Sequence, residues 1–120
     1  MLNKHLKATG IELTDAIRDY VEKKIDALQR IISDEKEALA EIEVGKTTEH
    51  HHKGEIFRAE INLTLDKKQF RAVSVQSDLY AAIDKMKDEI VGEVKRSNRK
   101  RFHLLKKGHQ KIKSMIKGLR

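Results

Sequence analysis

The sequence predicts an α+β domain of order β-α-β-β-β-α, with two amphipathic helices packed on one face of a four-stranded sheet. Three observations predict it. Two segments carry apolar residues at three- and four-residue steps, the spacing of a helix with one buried face. Three consecutive segments between them, and a weaker one before them, alternate apolar and polar residues with the period of a strand. And 120 residues with 38% hydrophobic content hold one modest core, largely aliphatic because only five residues are aromatic.

Leu2, Leu6 and Ala8 share one parity and predict the first strand, although Lys4 interrupts the series. Ile17, Tyr20, Val21, Ile25, Leu28 and Ile32 form one face of the first helix. Thr14 is placed to cap it, and Asp15 puts a negative charge in the first turn, where it suits the helix dipole. Ala40, Ile42 and Val44 then alternate with Glu41, Glu43 and Gly45 as a half-buried strand. The polar segment 46–54, KTTEHHHKG, predicts a hairpin loop. Phe57, Ala59, Ile61, Leu63 and Leu65 give the next strand, Asp66 and Lys67 a tight turn, and Phe70, Ala72 and Ser74 the last strand of an antiparallel meander.

Ser77 or Asp78 caps the second helix, whose inner stripe is Leu79, Ile83, Met86, Ile90 and Val94. With no proline in the chain, nothing stops this helix before about His103. Gly92 is its weak point, costing about 1 kcal/mol relative to Ala. The expected division is a domain over residues 1–103 and a basic tail over 104–120, either disordered or a short amphipathic helix. In the tail, Ile112, Met115, Ile116 and Leu119 recur at helical spacing, with Lys111, Lys113 and Lys117 around the other side.

The charge is segregated. The chain carries 26 Lys+Arg against 19 Asp+Glu, a net of +7, yet every acid lies at or before Glu93. The second helix therefore has a mixed front half, with Lys85, Asp88 and Glu89, and a purely positive back half. A few cations near a helix C-terminus are ordinary dipole partners. Lys95, Arg96, Arg99, Lys100 and Arg101 within seven residues repel one another unless a polyanion is present, and they predict nucleic-acid binding. No zinc-finger spacing, helix-turn-helix or RNP-type aromatic motif is present, and Trp is absent. Phosphate and sugar contacts to a folded RNA suit the chain better than stacking on single-stranded bases.

Other chemistry finds little support. Without Cys there are neither disulfides nor thiol catalysis. There is no Gly-rich phosphate loop, G-x-S-x-G or H-E-x-x-H, so no enzyme and no cofactor is expected. His50, His51 and His52 are read as loop histidines rather than metal ligands, because adjacent side chains diverge and no further ligand spacing completes a site. No apolar run approaches the ~20 residues of a membrane span, and the N-terminus has no secretory h-region, so a cytoplasmic protein is expected.

Two stretches carry a family resemblance. GIELTDAIRDYVEKKIDAL, residues 10–28, resembles the first helix of the bacterial ribosome hibernation-promoting factors and ribosome-associated inhibitors. SDLYAAIDKM, residues 77–86, is similar to the D-x-Y-x-A-I-D motif at the start of that family's second helix, and EIEVGK and HKGEIFRAEINL match between them in position and spacing. Over residues 2–102 the resemblance implies a fold like that of double-stranded-RNA-binding domains. It implies binding to the small ribosomal subunit and its rRNA, in the channel of mRNA and the A- and P-site tRNAs, with which the protein would compete. Translation would thus be silenced sterically in resting or stressed cells. It further implies a short form of the family, monomeric when free.

Position by position, the resemblance carries RNA-binding roles to Arg18 and Lys24 on the first helix, Lys46 at the end of the second strand, and Lys95, Arg96 and Lys100 on the second helix. With the charge pattern, Lys85, Arg99 and Arg101 complete the predicted surface. The family commonly has basic residues near positions 89 and 92, where this chain has Glu89 and Gly92, which moves the expected contact toward the helix's C-terminal half. Asp78 and Asp84 have structural roles open to them, as cap and as helix-surface partner. Tyr80 either packs over the sheet edge or touches RNA. Two other readings remain: a general structured-RNA-binding or RNA-chaperone module, and a membrane-surface or partner-docking protein using the tail.

Overall fold

The computed structural model describes residues 2–32, 36–47 and 54–117, with side chains described as far as Lys100. Its elements are β1 (Leu2–Thr9), α1 (Asp15–Gln29), β2 (Ala38–Thr47), β3 (Ile56–Leu65), β4 (Lys68–Gln76) and α2 (Leu79–Lys117). This is the predicted order. The strands lie in the sheet as β1-β2-β3-β4. Because α1 carries the chain back along the sheet, β1 enters parallel to β2, whereas β2–β3 and β3–β4 are antiparallel hairpin pairs.

Alternation in the strands sorts the two sheet faces. Ala38, Ala40, Ile42 and Val44 of β2, Ala59, Ile61, Leu63 and Leu65 of β3, and Phe70 and Ala72 of β4 are buried. They meet Ile17, Val21, Ile25 and Leu28 of α1 and Leu79, Ile83, Met86, Ile90 and Val94 of α2 in one core. Each fully buried aliphatic side chain there is worth about 1.5–3 kcal/mol. The opposite sheet face carries Glu41, Asn62 and Arg71, all exposed. Lys4, which breaks the parity of β1, is exposed on an edge strand, so its position costs the core nothing. Ser74 is buried, and its Oγ has no hydrogen-bond partner among the described residues.

The ends of the elements follow from short-range chemistry. Thr14 caps α1, its Oγ1 accepting from the Ile17 amide at 3.2 Å. Asp78, not Ser77, caps α2: its Oδ2 accepts from the Ala81 amide at 3.2 Å. The β3–β4 turn places Asp66 at φ 54°, a left-handed conformation that a short polar side chain tolerates. The Asp66 amide donates to the Glu37 carbonyl at 2.9 Å, tying this turn to the entry of β2. At the other end of β2, Gly45 opposes Thr9, and a Cβ there would lie 1.9 Å from the Thr9 carbonyl oxygen.

Strand β2 ends at Thr47 and pairs antiparallel with β3 from Ile56. Residues 48–53 of the predicted loop, His50, His51 and His52 among them, lie outside the described residues. Helix α2 runs 39 residues without interruption, through Gly92 and Gly108 to Lys117. At 1.5 Å per residue that is about 58 Å, far longer than the sheet it covers. A Cβ at Gly92 would meet only the Arg96 guanidinium, at 3.4 Å, the far end of a flexible side chain. Gly92→Ala is therefore expected to stabilise the chain by about 1 kcal/mol and raise Tm by a few degrees in a thermal melt followed by circular dichroism.

Candidate nucleic-acid interface

The phase of α2 decides which of its cations share a surface. Its buried line turns toward the sheet, and Asp84, Lys87, Val91 and Lys95 turn toward α1. Opposite the buried line and beside it stand Lys85, Asp88, Gly92, Arg96 and Arg99, with Lys85, Asp88, Arg96 and Arg99 exposed. Lys95 is exposed on the α1 flank of this ridge and Lys100 on the other flank. Arg96 has one acidic neighbour, Glu93, at 3.1 Å on the same helix. The back half of α2 thus presents Lys95, Arg96, Arg99 and Lys100 as one outward cationic ridge. Arg101 continues the helix, and its side chain lies outside the described set.

The seam between α1 and α2 is held by a polar cluster. The Tyr20 hydroxyl donates to Asp84 Oδ1 at 2.6 Å, and Lys24 Nζ lies 3.1 Å from the same oxygen. The Lys24 ammonium is also 5.2 Å from the Tyr20 ring centroid. Tyr80 meets Tyr20 edge-on with ring centroids 4.7 Å apart. Tyr80 therefore packs on α1 rather than over the sheet edge, and it remains partly exposed. Both aspartates of the D-x-Y-x-A-I-D stretch have structural work: Asp78 caps α2, and Asp84 pins it to α1.

The hydrogen bond from Tyr20 holds the Asp84 carboxyl below its ordinary value, with burial opposing and Lys24 assisting. The Lys24 amine is raised, first through its hydrogen bond to Asp84. On the open sheet face, burial pushes the Glu60 carboxyl up, but hydrogen bonds from Arg71, Arg58 and Asn62 outweigh it and leave it lowered. Both carboxylates bind a proton more weakly folded than unfolded. Their stabilisation is complete above the ordinary carboxylate range and is lost as pH falls through the lower folded-state values. Tm is thus expected to drop on acidification below about pH 4. Asp84→Asn should flatten part of that acid limb in melts across pH 2–6, and an unchanged limb would remove Asp84 from the account.

The predicted RNA-binding residues do not form one patch. Lys24 is on the seam but already engaged by Asp84. Arg18 is exposed about 180° around α1 from Ala27, which faces α2, so it points away from the ridge. Lys46 sits at the end of the sheet where α2 begins, paired with Glu55 at 2.7 Å. It is thus roughly 25 Å along α2 from Lys95. The fold adds two cations that the charge pattern does not single out: Arg30 and Lys87 line the α1–α2 groove together with Lys95. The spacing 87–91–95 is the available signal, but it becomes meaningful only once α1 is known to lie alongside.

Among the described residues, no group of three His, Cys, Asp or Glu could hold a metal ion, and no helix is long and apolar enough to cross a membrane. Comparison with known proteins supplies the lineage. The family described as sigma 54 modulation protein / S30EA ribosomal protein matches residues 5–101. A ribosome hibernation promotion factor of Lactococcus lactis is 32% identical over 104 residues, which is 83% of this chain and 54% of that protein. Its namesake from Staphylococcus aureus is 32% identical over 96 residues, 80% of this chain and 48% of the relative. The chain spans about half the length of these curated relatives. Among solved structures, the N-terminal domain of Thermus thermophilus Protein Y aligns with TM-score 0.64 and 38% identity, covering 79% of this chain and 96% of that one. A ribosomal subunit interface protein from Coxiella burnetii shares the fold at TM-score 0.60 and 19% identity, covering 82% and 99%. With the sheet order, the two capped helices and the residue-level match in agreement, the chain belongs to the sigma 54 modulation protein / S30EA ribosomal protein family.

Proposed function

We propose that this chain is a ribosome hibernation factor. It binds the small ribosomal subunit in the channel used by mRNA and the A- and P-site tRNAs, and silences translation by occupying it in resting or stressed cells. The relatives named as hibernation promotion factors support the ribosomal partner. The observation that carries the binding surface is the outward ridge of Lys95, Arg96, Arg99 and Lys100, on a helix with no acid after Glu93. A cationic ridge on a rigid helix matches the charge of an rRNA groove and offers donors to phosphates without reading sequence. The action is steric: the chain works by binding, as a cytoplasmic protein and without a cofactor.

Sedimentation through a sucrose cushion with ribosomes, with and without saturating mRNA and tRNA, tests the reading. The protein is expected in the pellet at moderate salt and in the supernatant once tRNA and mRNA are supplied. With ~6–8 cations on phosphates, the log–log dependence of affinity on salt should have a slope of about −4 to −7. Binding that mRNA and tRNA never displace would remove the channel from the proposal. Equal affinity for any folded RNA would favour a general RNA-binding module instead.

A further inference from the structure

Among the described residues, one large apolar side chain stands open to solvent: Tyr80, 39% exposed in the first turn of α2. The ribosomal reading uses the cations of α2 and leaves this ring without a role. Packing fixes the ring in place. It meets Tyr20 edge-on, with centroids 4.7 Å apart and planes at 90°. Tyr20 is itself held, since its hydroxyl donates to Asp84 Oδ1 at 2.6 Å and the Lys24 ammonium lies 5.2 Å from its ring centroid. Tyr80 also begins the line of α2 that turns toward α1, followed by Asp84, Lys87, Val91 and Lys95. That line is about 22 Å long. It sets the ring at the head of the groove whose walls carry Arg30 and Lys87 further along.

An aromatic ring at the head of a cationic groove suits an unpaired base of RNA whose phosphates follow the groove. The base offers a flat face to the ring, and such stacking is worth roughly tenfold in affinity per base. A ring oriented before binding also loses less freedom on stacking than one that swings. The local charge permits the approach of RNA, because Asp84 is answered by Lys24 at 3.1 Å and by the Tyr20 hydroxyl. A protein partner would need further apolar surface around the ring, and Tyr80 is the single exposed large hydrophobic among the described residues. We propose that Tyr80 stacks an unpaired base of the bound RNA. This rests on the RNA-binding reading above but on none of the ridge residues, the nearest of which, Lys95, lies about 22 Å along α2. To a surface that grips phosphates it adds one contact that selects, favouring RNA with an unstacked base over continuous duplex.

The chain holds two tyrosines and no tryptophan, so tyrosine emission reports on this ring directly. Wild type, Tyr80→Phe, Tyr80→Leu and Tyr20→Phe are titrated with two RNA hairpins, one fully paired and one carrying a single unpaired adenosine. The same chains are sedimented with ribosomes. The bulged hairpin is expected to quench emission beyond the paired one in wild type and in Tyr20→Phe, and to lose that excess in Tyr80→Phe. Tyr80→Leu is expected to weaken binding to the bulged hairpin and to ribosomes about tenfold, with the salt slope unchanged because no phosphate contact is lost. Tyr80→Phe, which keeps the ring, should fall nearer wild type in affinity. Equal weakening of both hairpins, or a smaller slope, would mean that Tyr80 acts only by holding α1 to α2 and would overturn the proposal. Excess quenching that survives in Tyr80→Phe overturns it too, whether or not Leu is tolerated at the seam. If Tyr80→Leu binds ribosomes and the bulged hairpin as wild type does, the stacking site falls and the ribosomal reading stands. If the bulged hairpin depends on Tyr80 while ribosomes fail to bind, the stacking site stands and the ribosomal reading falls. Binding to no RNA at all overturns both.

Discussion

Reversing Lys95, Arg96 and Arg99 to Glu together is expected to remove the chain from ribosomes, lowering affinity at least 100-fold at ~0.1 M salt. The change replaces three positive charges with three negative ones on the most outward part of α2. Every phosphate that no longer meets a cation keeps its counterion, so the magnitude of the log–log salt slope should fall by about 3. The three negative charges then repel the same phosphates at a distance within the ~10 Å screening length. The fold should not notice. All three residues are exposed, and the ion pair surrendered is Arg96–Glu93, a surface i,i+3 pair worth at most ~0.5 kcal/mol. A Tm within about 2 °C of wild type and an unchanged far-ultraviolet spectrum would accompany the loss of binding. Full retention of binding would move the surface to the α1–α2 groove of Arg30 and Lys87 or to the Lys46 end.

Gly45→Ala is expected to be the most destabilising small substitution in the sheet. The added methyl would stand 1.9 Å from the Thr9 carbonyl oxygen, and that oxygen belongs to backbone, which cannot swing aside as a side chain would. Relief requires the end of β1 to move away from β2, breaking the last pairing of the parallel ladder, Thr9 with Gly45. Overpacking of this kind costs about 1–3 kcal/mol, and the broken pairing adds to it. A fall in Tm of roughly 10 °C or more follows for a domain of this size. Gly92→Ala makes a direct control, since the same methyl on α2 meets only a mobile guanidinium. A Gly45→Ala chain melting with wild type would mean that β1 tolerates displacement there.

Local periodicity carries most of the fold. The buried stripes of α1 and α2 are readable because their apolar positions repeat at the helical period, and the β2–β4 meander because alternation survives for whole strands. The parallel partner of β1 is not readable, since alternation reports which face a strand buries and says nothing of its neighbour's direction. Choosing Asp78 over Ser77 as cap needs the actual hydrogen bond to Ala81. The site is legible in charge but not in geometry. Arg18 and Lys24 are both basic and lie six positions apart, yet helical phase sends one away from α2 and the other into a salt bridge with Asp84. Lys46 is matched by position in the family pattern, but the direction of β2 carries it to the far end of the sheet. Arg30 joins a cationic groove only because α1 folds against α2.

The parallel placement of β1 also sets an order of assembly. Strands β2, β3 and β4 meet through short connections, and α2 follows β4 directly, so these contacts close small loops at little entropic cost. Strand β1 pairs only with β2, and the whole of α1 intervenes. It is expected to dock at the edge after the rest has formed and to be the first strand to leave. In native-state hydrogen exchange, the ladder amides of Leu2–Thr9 are expected to exchange through openings smaller than global unfolding, while those of Ile61 and Leu63 exchange only when the whole sheet opens.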